Sequence, residues 1–362
     1  MSKVFFFDYS GGGDVLQGME WLCRESGILD LIARNASVAV KLHMGELGNI
    51  TYIRPAFVRR VVDLVKGVGG RPFVTDTTAL YPGSRDSESK YLSTAAFNGF
   101  VEQSVGAPVV IADGDGYEGV TVKLSTVVQG CGLTEVKVGL KVYQADFLLV
   151  VSHFKGHMLT GFGGAVKNLG MGCVTKESKR EQHSSNAPIL DDPRCNGCGT
   201  CAEVCPTGAI AMQNGRPVRD PEKCIYCSTC LFECPSGALF WGADNKKRLQ
   251  VYLAHAASAV MSRFSGKAAF INLVQDVTPN CDCAAPAGER IVPDIGVLAS
   301  RDPVAIDKAS SDLIDRAPVV LTSTPLVPPD RMGKLNQTDS LVQLNVAQRL
   351  GMGRLDYELV RL

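Results

Sequence analysis

The stretch from Cys195 to Cys234 constrains this chain more than any other. It reads CNGCGTCAEVCP and then, with 18 residues between Cys205 and Cys224, CIYCSTCLFECP. Each half is a C-x2-C-x2-C-x3-C-P run. Gaps this short let three thiolates of one loop reach three irons of one [4Fe–4S] cube, while the fourth cysteine, followed by proline, turns toward the other cube. The pattern assigns Cys195, Cys198, Cys201 and Cys234 to one cluster, and Cys224, Cys227, Cys230 and Cys205 to a second. The competing reading is a pair of zinc knuckles or a disulfide scaffold. Zinc sites, however, use paired cysteines or histidines rather than four thiols in one tight run repeated with its proline. The expectation is a chain that handles electrons, or keeps such a module for a structural purpose.

At 362 residues the chain has room for two or three domains with ample core. Its 37 basic and 37 acidic residues cancel, so bulk charge draws it to neither nucleic acid nor a membrane. Cluster motifs need reduced thiols, which points to a reducing cytoplasm, as in an anaerobe. The opening MSKVFFFDYSGGGD is too short for a signal peptide, and no later segment offers the roughly 18 uncharged apolar residues of a membrane span. The expected partner is a small-molecule substrate or a redox protein, with self-association left open.

Short apolar runs recur along the chain, each followed by polar residues and then a helical pattern. They lie at 4–7, 38–42, 73–75, 109–112 and 147–151, and again at 268–274 and 295–299. This rhythm predicts an α/β fold with a mostly parallel sheet flanked by helices. The glycines at 11–13 lack the GxGxxG pattern and read as a turn. Residues 1–187 form the first part of the α/β domain, 188–242 a bacterial-type two-[4Fe–4S] ferredoxin insert, and 243–362 the second part. The late strands are expected to continue the parallel sheet. Residues 316–330 read as a proline-rich irregular connection, and a last helix over about 337–350 closes the chain.

Polar residues at strand ends suggest a site, because open α/β sheets bind ligands beyond the carboxyl ends of their strands. Residues 152–183 are the densest such segment, SHFKGHMLTGFGGAVKNLGMGCVTKESKREQH. Here His153, Lys155, His157, Lys167 and His183 are the candidate catalytic groups, able to bind an anion, shuttle protons or ligate metal. Gly161, Gly163, Gly164 and Asn168 are the candidate cofactor cradle, since glycines let backbone N–H groups approach a ligand closely. An additional metal or small-molecule cofactor would fit such a pocket. Cys173 with the C-x-C pair Cys281 and Cys283 reads as a third metal or thiol site, or as packing residues.

The chain resembles the iron–sulfur proteins of the "domain of unknown function 362" family. The resemblance rests on GELGNITYIRP (45–55), FVTDTTALYPGSR (73–85), SHFKGHMLTGFGGAVKNLGMGC (152–173), the double cysteine motif, NCDC (280–283) and VPDIGVLASRDPVAID (292–307). It implies an architecture more than an activity. A more distant similarity is to the N-terminal domain of nickel-pincer lactate racemases. There a histidine, a glycine pair, a lysine and a later histidine follow at spacing like His157, Gly163-Gly164, Lys167 and His183. That similarity implies an acid/base at His157, covalent cofactor attachment at Lys167 and a nickel ligand at His183. A counterpart of the racemases' second catalytic histidine is missing, and racemisation needs no net electrons. The leading expectation is therefore an oxidoreductase passing electrons through two clusters to a molecule in the α/β pocket. The alternatives are a ferredoxin-like carrier docking to a separate enzyme, and a racemase or isomerase of the pincer type.

Overall fold

The computed structural model describes residues 1–320 and 326–362; residues 321–325, within the proline-rich connection, lie outside the described residues. Eight strands form the central sheet: β1 (Ser2–Asp8), β2 (Ser37–Lys41), β3 (Arg71–Asp76), β4 (Val109–Ile111), β5 (Phe147–His153), β6 (Ala268–Val274), β7 (Gly296–Ser300) and β8 (Tyr357–Arg361). Their spatial order is β8-β1-β7-β6-β5-β2-β3-β4. Every residue of β5 and β6 is buried, as continuous apolar runs covered on both faces should be. One face packs against helices Ala165–Gly170, Ala243–Arg263, Pro303–Arg316 and Val342–Arg349, the other against Val15–Glu25, Pro55–Gly67 and Glu88–Phe97.

Local chemistry sets the helix starts. Asp14 accepts from the Leu16 and Gln17 amides, and Asp302 from those of Val304 and Ala305 ahead of Pro303. Pro55 opens its helix at the first turn.

Two expectations need correction. Strand β7 runs antiparallel to both its neighbours, β1 and β6. The reason lies in the connection: residues 275–295 contain no helix, and without a crossover element the chain returns beside β6 in the opposite sense. The expected helix over 337–350 starts later, as Val342–Arg349, and a separate short helix, Arg331–Leu335, precedes it. Asp330 caps the short helix through the Gly333 amide and also accepts from Ser340, while Asp339 accepts from the Leu341 amide. The chain then ends in β8, which pairs parallel with β1.

The cysteine-rich segment lies between helices Lys176–Ser184 and Ala243–Arg263. A bridge of Ile189–Leu190 with Leu239–Phe240 closes its neck, and a hairpin of Ile210–Gln213 with Arg216–Arg219 forms its centre. No helix among the described residues is long and apolar enough to cross a membrane.

Candidate functional site

Strand β2 continues to β3 and β4 on one side, while β5 lies on its other side. The strand order reverses between β2 and β5, where an α/β sheet opens a crevice at its carboxyl edge. Lys41, at the end of β2, lies in that crevice almost fully buried. Its Nζ is 2.8 Å from Asp76 Oδ1 and donates to Asn168 Oδ1 at 2.6 Å. Asn168 in turn donates to Val151 O at 3.1 Å and Ser152 Oγ at 3.0 Å. Tyr91 donates to the other Asp76 oxygen. Burial would raise the Asp76 carboxyl, but Lys41, His43 and Lys179 hold it below its ordinary value. Lys179 donates to Thr77 Oγ1 at 2.7 Å, and its burial beside Lys41 and Arg85 brings it down to about 8 against the pull of Asp113 and Asp76.

The helix-free loop after β6 folds over this floor. Its centre is Asp282, 1 % exposed. Asp282 Oδ1 lies 2.7 Å from His153 Nδ1, and Oδ2 lies 3.3 Å from Lys155 Nζ without an aligned hydrogen bond. The other His153 nitrogen faces the Gln275 carbonyl at 2.8 Å. Burial alone would raise the Asp282 carboxyl; His153 and Lys155 hold it well below the usual carboxylate range. Lys155 is held above its ordinary value by the same carboxylate and by the flanking sulfurs, against desolvation.

On either side of buried Asp282, Cys281 and Cys283 keep partial exposure. Cys283 Sγ is 3.3 Å from His43 Nε2. His43 Nδ1 accepts the Gly45 amide at 3.0 Å, so in the neutral ring the proton sits on Nε2 and is donated to the sulfur. The neighbouring Cys281, with His43 and buried Arg85, holds the Cys283 thiol well below its ordinary pKa. Cys281 is correspondingly pushed well up. Arg85 reaches Glu46 at 3.0 Å and donates to Tyr81 Oη at 2.5 Å.

Lys167, on helix Ala165–Gly170, faces His157, His183 and Cys281. Among the described residues no carboxylate pairs with it within 4.0 Å. Burial and then Lys167 push the His157 ring well below its ordinary value, and burial with Lys167 and Lys179 brings His183 down to about 4. Both imidazoles are neutral at pH 7. His157 Nδ1 accepts the Leu159 amide at 3.2 Å, leaving an Nε2–H to donate.

The cysteine-rich segment builds two separate hollows. Cys195, Cys198, Cys201 and Cys234 line one, and Cys205, Cys224, Cys227 and Cys230 line the other. Amides of Ala209 and Tyr226 donate to Cys205 and Cys224 sulfurs at 3.2 and 3.4 Å. Gly197 and Gly199 in the first half, and Tyr226 and Ser228 in the second, take left-handed backbone that wraps each loop. Among the described residues, no three His, Cys, Asp or Glu side chains converge as a single-ion site.

A family model described as a domain of unknown function (DUF362) matches residues 38–312. The chain belongs to the DUF362 family. No curated protein matches it. Among solved structures, it is similar to the lactate racemase apoprotein from Thermoanaerobacterium thermosaccharolyticum, with TM-score 0.35 and 11 % identity over 76 % of this chain and 51 % of that one. It is also similar to a protein from Thermotoga maritima, with TM-score 0.37 and 11 % identity over 72 % and 49 %. The chain spans about half the length of both.

In this DUF362 protein the expected His153, Lys155, His157, Lys167 and His183 do come together, but in unequal roles. His153 has both ring nitrogens engaged and is a positioning residue, whereas Lys155 and Lys167 both flank Gly163 and the charge of Lys167 acts on His157. The expected glycine cradle is corrected. A Cβ on Gly164 would lie 2.3 Å from Asp307 Oδ1, and one on Gly161 would lie 2.3 Å from Ser340 Cβ, so both glycines serve close packing. The Ala165 and Val166 amides, which could have held an anion, donate to Asp307 at 2.7 and 2.9 Å. Asn168 is committed to Lys41 and β5. Cys173 is fully buried, its thiol pushed up to about 12, and it sits below Lys41 rather than with the C-x-C pair. Sequence reasoning gave no role to Lys41, His43, Tyr81, Arg85 or Lys179; Tyr81 and Arg85 lie in the FVTDTTALYPGSR stretch and Lys179 in 152–183, but nothing local ties them to this site.

Asp307 gives a pH prediction. Burial raises its carboxyl to about 6, against the amides that it accepts. It holds its proton more tightly folded than unfolded, so its contribution is full below about pH 4 and fades as pH rises through about 6. Asp307→Asn is expected to remove that slope, changing the wild-type difference by roughly 1–3 kcal/mol between pH 4 and 7. Urea unfolding at stepped pH checks it.

Proposed function

We propose that this protein is an iron–sulfur oxidoreductase acting on a small anionic molecule in the strand-end pocket. Cys195, Cys198, Cys201 and Cys234 would hold one [4Fe–4S] cluster, and Cys224, Cys227, Cys230 and Cys205 the other. The donor sets fit: four thiols line each hollow, and amides aim at sulfurs, as cluster loops require. When bound, such clusters supply electrons one at a time.

The observation that carries the reading is helix Lys176–Ser184. Arg180 donates to the carbonyls of Cys224 at 2.9 Å, Glu222 at 2.9 Å and Pro221 at 3.0 Å, gripping one cysteine loop. One turn on, the Lys167 charge acts on His183, and Lys179 donates to Thr77 Oγ1 at 2.7 Å. One rigid element thus touches both places, which supports electron exchange between them.

The chain's own groups divide the remaining work. Lys167 attracts and orients an anion. His157 donates its Nε2–H to a developing negative charge, and a neutral imidazole does this without repelling Lys167. Asp282 and His153 fix the loop, and the loop covering the crevice limits water.

Cys205→Ser tests the ligand sets. Its electron paramagnetic resonance spectrum should show damage in the cluster assigned to Cys224, Cys227 and Cys230, and the same lesion as Cys224→Ser. Matching the lesion of Cys195→Ser instead would overturn the crossed assignment.

The convergence of His157, Lys167 and His183 also favours a second reading, a racemase-type isomerase with a cofactor attached at Lys167. An intact mass adduct on the Lys167 peptide would support it; an unmodified lysine in active protein would remove it.

A further inference from the structure

We propose that Cys281 and Cys283 form a redox-active dithiol that exchanges with small anionic disulfides admitted to the strand-end pocket. This deepens the oxidoreductase reading by naming a substrate class, and rests on that reading only for the electrons that reset the pair.

Three loops from three different strands build the dithiol's surroundings. His43 follows β2 and presents Nε2 at 3.3 Å from Cys283 Sγ, its tautomer fixed by the Gly45 amide. Tyr81 and Arg85 follow β3; Arg85 donates to Tyr81 Oη at 2.5 Å, and its charge acts on Cys283. Cys281 and Cys283 follow β6 and flank Asp282, whose buried carboxylate is tied to His153 and Lys155. Both cysteines keep partial exposure, and the Glu46 amide donates to the Asp282 carbonyl at 2.9 Å, tying the loop to the segment after β2. Packing residues would not need this: Cys23 and Cys173 are fully buried without any such cationic partner within hydrogen-bond reach. A sulfur in contact with an imidazole N–H at 3.3 Å, with a second cysteine two residues away, is the arrangement of an attacking and a resolving sulfur. Lys167 supplies a cation facing Cys281, where a carboxylate on the substrate would bind.

The exchange balances. The Cys283 thiolate attacks one sulfur of R–S–S–R, the S–S bond breaks, and RS⁻ departs, leaving Cys283 in a mixed disulfide. Cys281 loses its proton, attacks the Cys283 sulfur and expels the second RS⁻, one of the two leaving thiolates taking up that proton. The pair ends oxidised by two electrons and the substrate ends as one thiol and one thiolate. Two electrons and one proton would restore the Cys281 thiol and the Cys283 thiolate, and the clusters that the eight cysteines would hold could supply those electrons singly.

The test uses the full chain, purified anaerobically, with one equivalent of the thioglycolate disulfide as dianionic probe and 2-hydroxyethyl disulfide as neutral probe. Mass spectrometry of the peptide holding both cysteines should show the loss of two hydrogens, with two thiols released per chain. Cys281→Ser should stop at a mixed disulfide on Cys283, and Cys283→Ser should give no adduct on Cys281. The dianion should react at least about tenfold faster, and Lys167→Ala should bring the two probes together. Both cysteines remaining open to alkylation after the probe would overturn the proposal, as would equal trapping in the two serine variants. If a serine variant does not fold, the wild-type peptide mass decides alone. Protein without iron that still forms the disulfide keeps this inference and sinks the cluster reading; iron-loaded protein whose cysteines stay reduced does the reverse.

Discussion

Asp282→Ala is expected to cost about 3–5 kcal/mol of stability, because it strips the counter-charge from His153 and Lys155 in a buried site. The carboxylate touches both, at 2.7 and 3.3 Å, and is nearly inaccessible to water. Asp282→Asn, which keeps the shape and one acceptor for His153, should lose clearly less. The sign of the pH dependence follows from the depressed carboxyl. Its stabilisation is present above the unfolded value of about 4 and fades as pH falls through the folded one, so the alanine deficit should shrink in acid. Urea titrations at pH 7 and near pH 3 measure both. A deficit below about 1 kcal/mol at neutral pH would mean that the loop does not depend on this anchor.

Gly156→Ala is the second large effect, expected at about 3 kcal/mol or more. A Cβ there would stand 2.0 Å from Pro279 O and 2.7 Å from Thr278 O, both backbone atoms. The Gly156 amide also donates to Thr278 O at 2.8 Å. The Lys155–His157 and Gly161–Gly163 hairpin therefore lies flush against the loop that carries Cys281 and Cys283. Forcing them apart should also speed alkylation of those cysteines. Gly163→Ala is the control. Its Cβ would meet only the flexible Lys155 Nζ and Lys167 Cδ, at 3.4 Å each, and should cost within about 1 kcal/mol. Equal losses in the two variants would contradict this packing.

Much of the frame was legible because it rests on local rules. The apolar runs at 38–42, 147–151 and 268–274 lie within or overlap β2, β5 and β6, and the polar residues after them do gather at one edge. The hidden part depends on topology. Nothing near Gly45 says that His43 meets a sulfur 240 positions away. Nor does the glycine loop show that Asp307 fills its amides from 142 positions away. Strand β7 reads like its parallel neighbours; only the missing helix in 275–295 signals its reversal, and that same absence creates the loop bearing the C-x-C pair. Strand β8 escaped notice because YELVR is short and follows a run of turn residues.

Iron and acid-labile sulfide, counted per chain in anaerobically purified protein alongside zinc, decide whether the eight cysteines hold two cubes. About eight of each and no zinc are expected, with the signals of two reduced cubes after dithionite. Two zinc ions in place of iron, bound by the same eight cysteines, would contradict that expectation.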